Sequence, residues 1–135
     1  MKELAAAWLS SAEMDLENIK RVRDDVFLTP VSCFHSHQSV EKTVKAFLEA
    51  SKTKIPKTHD LLRLWGLLSE HLDFKIDMEI LQKLNDLYID SRYPGDLGLL
   101  PNGKPTIADA VEFYEFAEFI YNKILMEIKK LDEKG

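Results

Sequence analysis

The sequence predicts an all-helical protein, an antiparallel up-and-down bundle of four principal helices plus one short helix. Three observations lead to this prediction. Apolar residues recur at spacings of three and four along most of the 135 residues. No segment alternates apolar and polar residues as a half-buried strand does. Prolines and capping residues stand where the helices should begin or end. The length suits one hydrophobic core, so residues 1–135 are interpreted as a single domain.

The first helix is predicted from Leu4 to Val26. Its apolar stripe consists of Leu4, Trp8, Ala12, Ile19, Val22 and Val26. Asp15 falls on the same stripe. This carboxylate is either a polar group inside the apolar seam or a rim residue on a tilted helix, and the sequence leaves both interpretations open.

A second helix is predicted from Thr29-Pro30 to about Ser51, because a threonine cap and a proline at the first helical position favour a helix start. Its apolar face consists of Cys33, Val40, Val44, Phe47 and Leu48, with Phe34 at the margin. His37 lies in the middle of that face and Glu41 at its edge. We expect both to be hydrogen-bonded or paired, because an unsatisfied buried polar group costs about 1 to 3 kcal/mol.

The basic, proline-containing segment 52–57 predicts a loop, and Thr58 or Asp60 is expected to cap a short third helix. The buried edge of that helix is predicted to be Leu61, Leu64, Trp65 and Leu68. Asp77 is expected to cap a fourth helix that directs Leu81, Leu84 and Tyr88 inward, and Arg92 lies on the same inward line. Tyr93-Pro94-Gly95 should end this helix, and a long loop is predicted from Gly95 to Pro105.

Thr106 and Asp109 resemble a capping box at the start of the last helix. The heptad seam of this helix consists of Ile107, Ala110, Tyr114, Ala117, Tyr121, Ile124, Ile128 and Leu131. Phe113, Phe116 and Ile120 form a second apolar stripe on the opposite side. Such a stripe predicts a second partner, either another helix of the bundle or the other subunit of a dimer, and we expect a homodimer through these three residues.

Composition limits the classes of function. The net charge of −5 disfavours a general nucleic-acid binder but leaves a local basic cleft open. The single cysteine, Cys33, excludes an internal disulfide, and its place on an apolar face predicts a buried structural thiol. Neither a signal peptide nor a run of about 20 apolar residues is present, so we expect a cytoplasmic protein. His35 and His37 point about 160° apart on a helix, which disfavours a shared metal ion, and we predict no cofactor.

Polar residues on the predicted inward faces come from three helices. They are Asp15, His37 with Glu41, and Arg92. An arginine fork matches a carboxylate, so Arg92 is expected to pair with Glu41 or Asp15. Such a pair either fixes the register of the helices or lines a cleft in which the arginine, with Lys42 and Lys45 nearby, receives a phosphate.

Several short motifs, in order along nearly the whole chain, resemble the HEPN domain family, a nucleotide-binding domain of prokaryotes and higher eukaryotes. They are Trp8 with Ala12 and Asp15-Leu16, Cys33-Phe34-His35, Gln38, Val40-Glu41-Lys42, Lys45-Ala46, Thr58-His59-Asp60-Leu61 and Ser91-Arg92-Tyr93-Pro94. The resemblance implies a helical bundle that is commonly dimeric and acts near nucleotides or RNA. It also implies a small nucleotidyltransferase partner, as a two-protein complex or as a toxin and antitoxin pair.

The polar positions that this resemblance carries over are Asp15, His35, Gln38, Glu41, Lys42, Lys45, His59, Asp60, Arg92 and Tyr93. The predicted ligand-binding residues are Asp15, His35, His37, Gln38, Glu41, Lys42, Lys45, Arg92 and Tyr93. His37 enters this set from its position on the helix alone, because the family usually has glutamine there.

The sequence departs from the family at the ribonuclease motif. Ribonuclease members carry a histidine four to six residues after the motif arginine, and no histidine follows Arg92 here. Ribonuclease activity is therefore not carried over, and the chain is interpreted as a nucleotide-binding or interaction module. Two alternatives stay open: an RNA-cleaving toxin that uses His35, His37 or His59, and a purely structural dimerisation or adaptor bundle.

Overall fold

A computed structural model describes residues 1–90 and 103–134 of the chain. The helices are α1 (Glu3–Val22), α2 (Thr29–Ala50), α3 (Leu61–Gly66), α4 (Met78–Asp90) and α5 (Ile107–Lys134), with short 3-10 turns at Val26–Leu28 and Ser69–His71. The predicted all-helical class, with four principal helices and one short one, is confirmed. Within the described residues, no helix is both long enough and apolar enough to span a membrane.

The central helix is α2, which contacts each of the other four helices. Its predicted apolar face is buried, with exposed fractions of 3% or less from Cys33 to Leu48. Burial also raises the pKa of the Cys33 thiol to about 12, with a smaller contribution from Asp109. The prediction of a buried structural thiol therefore agrees with its surroundings.

Helix α1 ends earlier than predicted, at Val22. The side chain of Asp25 then accepts a hydrogen bond from the backbone N–H of Phe27 and begins a 3-10 turn, so Val26 leaves the apolar stripe and is 67% exposed. Leu4 at the other end is 54% exposed. The buried stripe instead consists of Ala5, Leu9, Ala12, Leu16 and Ile19. The predicted stripe was therefore wrong at both ends of the helix.

The predicted caps of the later helices are present. The carboxylate of Asp60 accepts from the backbone of Leu62 and Arg63, and that of Asp77 accepts from Glu79 and Ile80. Thr106 and Asp109 form a reciprocal capping box, because each side chain accepts from the other residue's backbone N–H at 2.9 to 3.0 Å.

Thr29 is not the cap that the sequence predicted for α2. Leu28 occupies the N-cap position, and Thr29 is the first helical residue, followed by Pro30. The buried hydroxyl of Thr29 donates instead to the carbonyl of Pro105, at 2.7 Å. This bond fixes the start of α2 to the segment that leads into α5.

The second apolar stripe of α5 lies inside the chain. Phe113, Phe116 and Ile120 are 1%, 8% and 0% exposed, because α5 packs against α1, α2 and α4. The predicted dimer surface of these three residues was therefore wrong, since buried side chains cannot meet a second subunit. The alternative partner, other helices of the same bundle, accounts for the stripe.

Candidate functional site

Asp15 joins α1 to α2 through two side-chain contacts. Its Oδ1 lies 2.8 Å from Nδ1 of His35, and its Oδ2 accepts from Nζ of Lys42 at 2.8 Å. The two helices are linked beside it, where the Ser39 hydroxyl donates to the carbonyl of Ala12. Asp15 is only 6% exposed, so it is a polar group inside the seam and not a rim residue.

Glu41 makes a second cluster of side-chain contacts on α2. Its Oε2 accepts from Nζ of Lys45 at 2.8 Å, one helical turn away. Both carboxylate oxygens lie 3.0 to 3.1 Å from Nδ1 of His59. His59 stands just before α3, whose start is fixed by the Asp60 cap. Glu41 therefore ties the central helix to the α2–α3 connection.

His37 is the most buried titratable group of this region, at 1% exposed. Within the described residues neither ring nitrogen has a hydrogen-bond partner, and its Nδ1 lies 3.8 Å from Oε1 of Glu41. Of the two expectations for this residue, a hydrogen bond or a pairing, the structure shows the pairing, through this contact with Glu41. Burial lowers the pKa of His37 to about 4 against the opposing effect of Glu41, so the ring is neutral at neutral pH.

His35 and His59 resemble each other in that a buried carboxylate contacts Nδ1 of each ring. A carboxylate only accepts hydrogen bonds, so Nδ1 of each ring donates to its carboxylate, and Nε2 has no protein partner within the described residues. The side chains are 24% and 57% exposed. Two solvent-accessible imidazoles are thus oriented by two buried carboxylates, Asp15 and Glu41.

Aromatic rings connect the two clusters. The ring of Phe34, which is 43% exposed, lies 5.7 Å from that of His35 and 6.1 Å from that of Tyr88. Tyr88 lies 4.3 Å from His37 and 5.3 Å from His59. The Asp15 and Glu41 clusters with these rings are called the α2 site below.

Most of the predicted site residues meet in the α2 site. Asp15, His35, His37, Glu41, Lys42 and Lys45 lie there, and Gln38 is half-buried on the same helix between them. Arg92 and Tyr93 lie outside the described residues, as does the predicted pairing of Arg92 with Glu41 or Asp15. Within the described residues, the two carboxylates contact lysine and histidine.

The predicted ligand-binding set omitted His59, Tyr88 and Phe34. His59 was marked by the Thr58-His59-Asp60 motif, and Tyr88 by its position on the inward line of α4. Phe34 was marked by its place at the margin of the α2 face. No local pattern placed His59 and Tyr88 against α2, because their contacts with it join positions far apart in sequence. In the described part of the chain, no three or more His, Cys, Asp or Glu residues are grouped to hold a metal ion.

The fold and the α2 site define a small helical-bundle domain whose central helix carries a charged and aromatic cluster. The HEPN domain model matches residues 5–129, and the chain belongs to the HEPN domain family. The crystal structure of an archaeal HEPN homologue is similar, with a TM-score of 0.67 and 27% sequence identity over 94% of this chain and 99% of that one. Curated proteins give no significant sequence match.

Proposed function

We propose that this chain is a nucleotide-binding HEPN module that acts with a small nucleotidyltransferase and lacks the usual ribonuclease motif. Its family consists of modules that interact with nucleotides or RNA. The observation that supports this proposal is the α2 site, in which buried Asp15 and Glu41 orient two accessible imidazoles beside an exposed aromatic ring.

Burial separates the predicted site residues into two roles. Asp15, His37, Glu41 and Lys45 are at most 8% exposed, so they position other groups and do not contact a ligand directly. The second group is accessible to a ligand: His35, Gln38, Lys42, His59 and Phe34. His35, Gln38 and Lys42 are spaced by three and four residues along α2, so they follow one another on one face.

The accessible group suits a nucleotide in three respects. The ring of Phe34 offers an apolar face for a base. The Nε2 atoms of His35 and His59 and the amide of Gln38 offer donors or acceptors to base and sugar. Lys42 offers a charge to phosphate, together with Arg92 and Tyr93, which the family resemblance adds.

Calorimetric titration of the purified protein with AMP, GMP, CMP and UMP tests this proposal. We expect binding of at least one nucleotide, and Lys42→Gln and Arg92→Ala should each weaken it about tenfold, which corresponds to about 1.4 kcal/mol. Lys83→Gln, at an exposed lysine of α4, is the matched control and should leave affinity unchanged. Absence of binding to all four nucleotides, or equal losses in the control, would refute the proposal.

A nucleotidyltransferase partner, a toxin and antitoxin relationship, a homodimer and a cytoplasmic location are further parts of this proposal. Pull-down from the native host, read by mass spectrometry, should recover a small nucleotidyltransferase. Light scattering should give twice the mass of 15.6 kDa. A monomeric mass would remove the dimer, and recovery of no nucleotidyltransferase would remove that partner.

A second candidate function is metal-independent RNA cleavage by His35 and His59. The observation that favours it is the carboxylate bound to Nδ1 of each ring, which fixes the tautomer and leaves Nε2 for proton transfer. One imidazole would remove the proton of a 2′-hydroxyl, and the other would protonate the leaving 5′-oxygen.

Incubation with end-labelled RNA in the presence of a chelator tests this second function. The expected products carry 2′,3′-cyclic phosphate ends, and His35→Ala and His59→Ala should each lower the rate by 100-fold or more, on the order of a lost acid or base catalyst. His71→Ala, at an exposed histidine outside the α2 site, is the control. Cleavage that survives both site variants would assign the activity to another residue or to a contaminant.

A further inference from the structure

We propose that the ligand is a single-stranded polynucleotide whose backbone lies on the connection between α2 and α3. This inference rests on the proposed function and names the class of ligand. The surface concerned, called the basic connection, consists of residues 52–63, which precede and include the start of α3. It adjoins the α2 site through His59, whose Nδ1 donates to Glu41.

The charges of the α2 site are already balanced within the chain. Lys42 is paired with Asp15 and Lys45 with Glu41, both at 2.8 Å. Two ammonium groups and two carboxylates therefore cancel in net charge, so beyond the contact of Lys42 with one phosphate the site offers no cationic path. The site can orient a nucleoside, but charges that hold a phosphate backbone must come from elsewhere on the surface.

The basic connection supplies such charges. It contains Lys52, Lys54, Lys57 and Arg63 and one acid, Asp60, giving a net charge of +3 in a chain of net charge −5. All four cations are exposed, and none has an ion-pair partner within the described residues.

The single acid of this segment is occupied. The carboxylate of Asp60 accepts from the backbone of Leu62 and Arg63 and from the amide of Asn85. Asp60 therefore serves as the cap of α3, and it forms no ion pair with the four cations among the described residues. The basic run at the end of α1 differs, because Lys20 is paired with Glu17, and Asp24 and Asp25 follow directly.

The backbone of the basic connection is fixed before any ligand binds. The N–H groups of Ser51, Lys52 and Thr53 donate to carbonyls in the last turn of α2, and Lys52 has a φ of 60°. Ile55 packs against the core, and the N–H of Thr58 donates to Pro56. A surface that is already ordered loses less conformational entropy on binding.

The neighbouring rings favour a nucleic acid over an acidic protein. A cationic path beside an exposed aromatic ring is the usual arrangement for single-stranded nucleic acid, in which the path follows phosphates and the ring stacks on a base. Phe34 is 43% exposed, and Tyr88 links it to His59, which belongs to the basic connection. Three loop lysines and Arg63 also exceed what one nucleotide phosphate requires.

The experiment compares binding of a fluorescein-labelled oligouridylate of about 12 nucleotides with binding of UMP, at several salt concentrations. The test variant is Lys52→Gln/Lys54→Gln/Lys57→Gln. The control variant, Lys75→Gln/Lys83→Gln/Lys129→Gln, removes the same charge at three exposed lysines that also lack ion pairs within the described residues.

The wild type should bind the oligouridylate at least tenfold more tightly than UMP. The test variant should lose most of that difference, and the slope of log affinity against log salt should fall by about 2, as expected for three lost phosphate contacts with a single strand. UMP affinity should stay unchanged, and the control variant should behave like wild type.

Two results would overturn the inference while leaving the proposed function intact. One is nucleotide binding with equal oligouridylate affinity in the test and control variants. The other is displacement of the labelled oligouridylate by polyglutamate as effectively, per charge, as by unlabelled oligouridylate. That result would indicate a surface for acidic proteins. Oligouridylate binding that depends on the basic connection, without any nucleotide binding, would support the inference and count against the nucleotide site.

Discussion

The imidazole of His37 lies nearly flat against the ring of Tyr88, with centroids 4.3 Å apart and planes 15° apart. His37 is 1% exposed and has no hydrogen bond to either nitrogen within the described residues. A charged imidazolium in this place would lose its hydration without adequate compensation, although Glu41 lies 3.8 Å away. The ring therefore acts as a flat, neutral packing group.

Acid should destabilise the protein through His37. Its pKa is about 4 in the folded chain and about 6.5 when unfolded, so the unfolded state binds the proton first as pH falls. Between pH 6.5 and 4 this linkage should lower the free energy of unfolding by on the order of 3 kcal/mol. Denaturant titrations of His37→Phe should show a shallower loss over that interval.

His71→Phe is the matched control for this measurement, because His71 is exposed and lies outside the α2 site. It should keep the wild-type dependence on pH. If His37→Phe and wild type lose stability in parallel between pH 6.5 and 4, the acid sensitivity originates in other groups.

The Glu41–Lys45 pair should show strong coupling in stability. Both side chains are at most 10% exposed, so Glu41→Gln leaves a buried ammonium without its counter-charge and should cost about 3 kcal/mol or more. The double variant Glu41→Gln/Lys45→Met should recover part of this loss. Urea unfolding of the two single variants and the double variant gives the coupling energy.

The control is the same set of two single variants and one double variant, a double-mutant cycle, at Glu17 and Lys20. These residues form an exposed pair three residues apart. Their coupling should be no more than about 0.5 kcal/mol. Equal coupling in the two cycles would contradict a structural contribution from the buried pair. Strong coupling in a protein that binds no nucleotide would instead support the adaptor bundle.

Asn85 should stabilise the start of α3 from α4. Its Oδ1 accepts from the backbone N–H of Leu61 at 2.9 Å, and its Nδ2 donates to the Asp60 cap at 3.0 Å. Asn85 is 3% exposed, so Asn85→Ala leaves a buried N–H unpaired and should cost about 1 to 3 kcal/mol. Thermal unfolding measures this loss, and Asn122→Ala, at an exposed position of α5, should change little.

Local patterns predicted the helices well, because caps and apolar spacing act over a few residues. The Asp60 and Asp77 caps and the Thr106–Asp109 box are examples. Local patterns were less informative about which side chains contact one another across helices. The sequence placed Asp15 and Glu41 inward, but their pairing with Lys42, Lys45, His35 and His59 depends on how helices distant in sequence approach one another.

The same reason explains the error on α5. A second apolar stripe shows that a second surface covers the helix, but whether that surface belongs to the same chain is decided by the packing of α1, α2 and α4 around it. Burial of Phe113, Phe116 and Ile120 inside one chain answers that question. It also provides a direct comparison between two phenylalanines of one helix.

Phe113→Ala should greatly destabilise the chain, whereas Phe119→Ala should not. Phe113 is 1% exposed, and truncating a buried phenylalanine costs about 3 to 5 kcal/mol through lost burial and a residual cavity. Phe119 is 44% exposed and keeps mainly edge contacts with Phe74, so its loss should cost about 1 kcal/mol or less. Urea unfolding at several protein concentrations measures both. If Phe113 held a dimer, the urea midpoint of the wild type would rise with protein concentration, and that of Phe113→Ala would not. If Phe113 is a core residue, the substitution should leave any dependence of the midpoint on protein concentration unchanged.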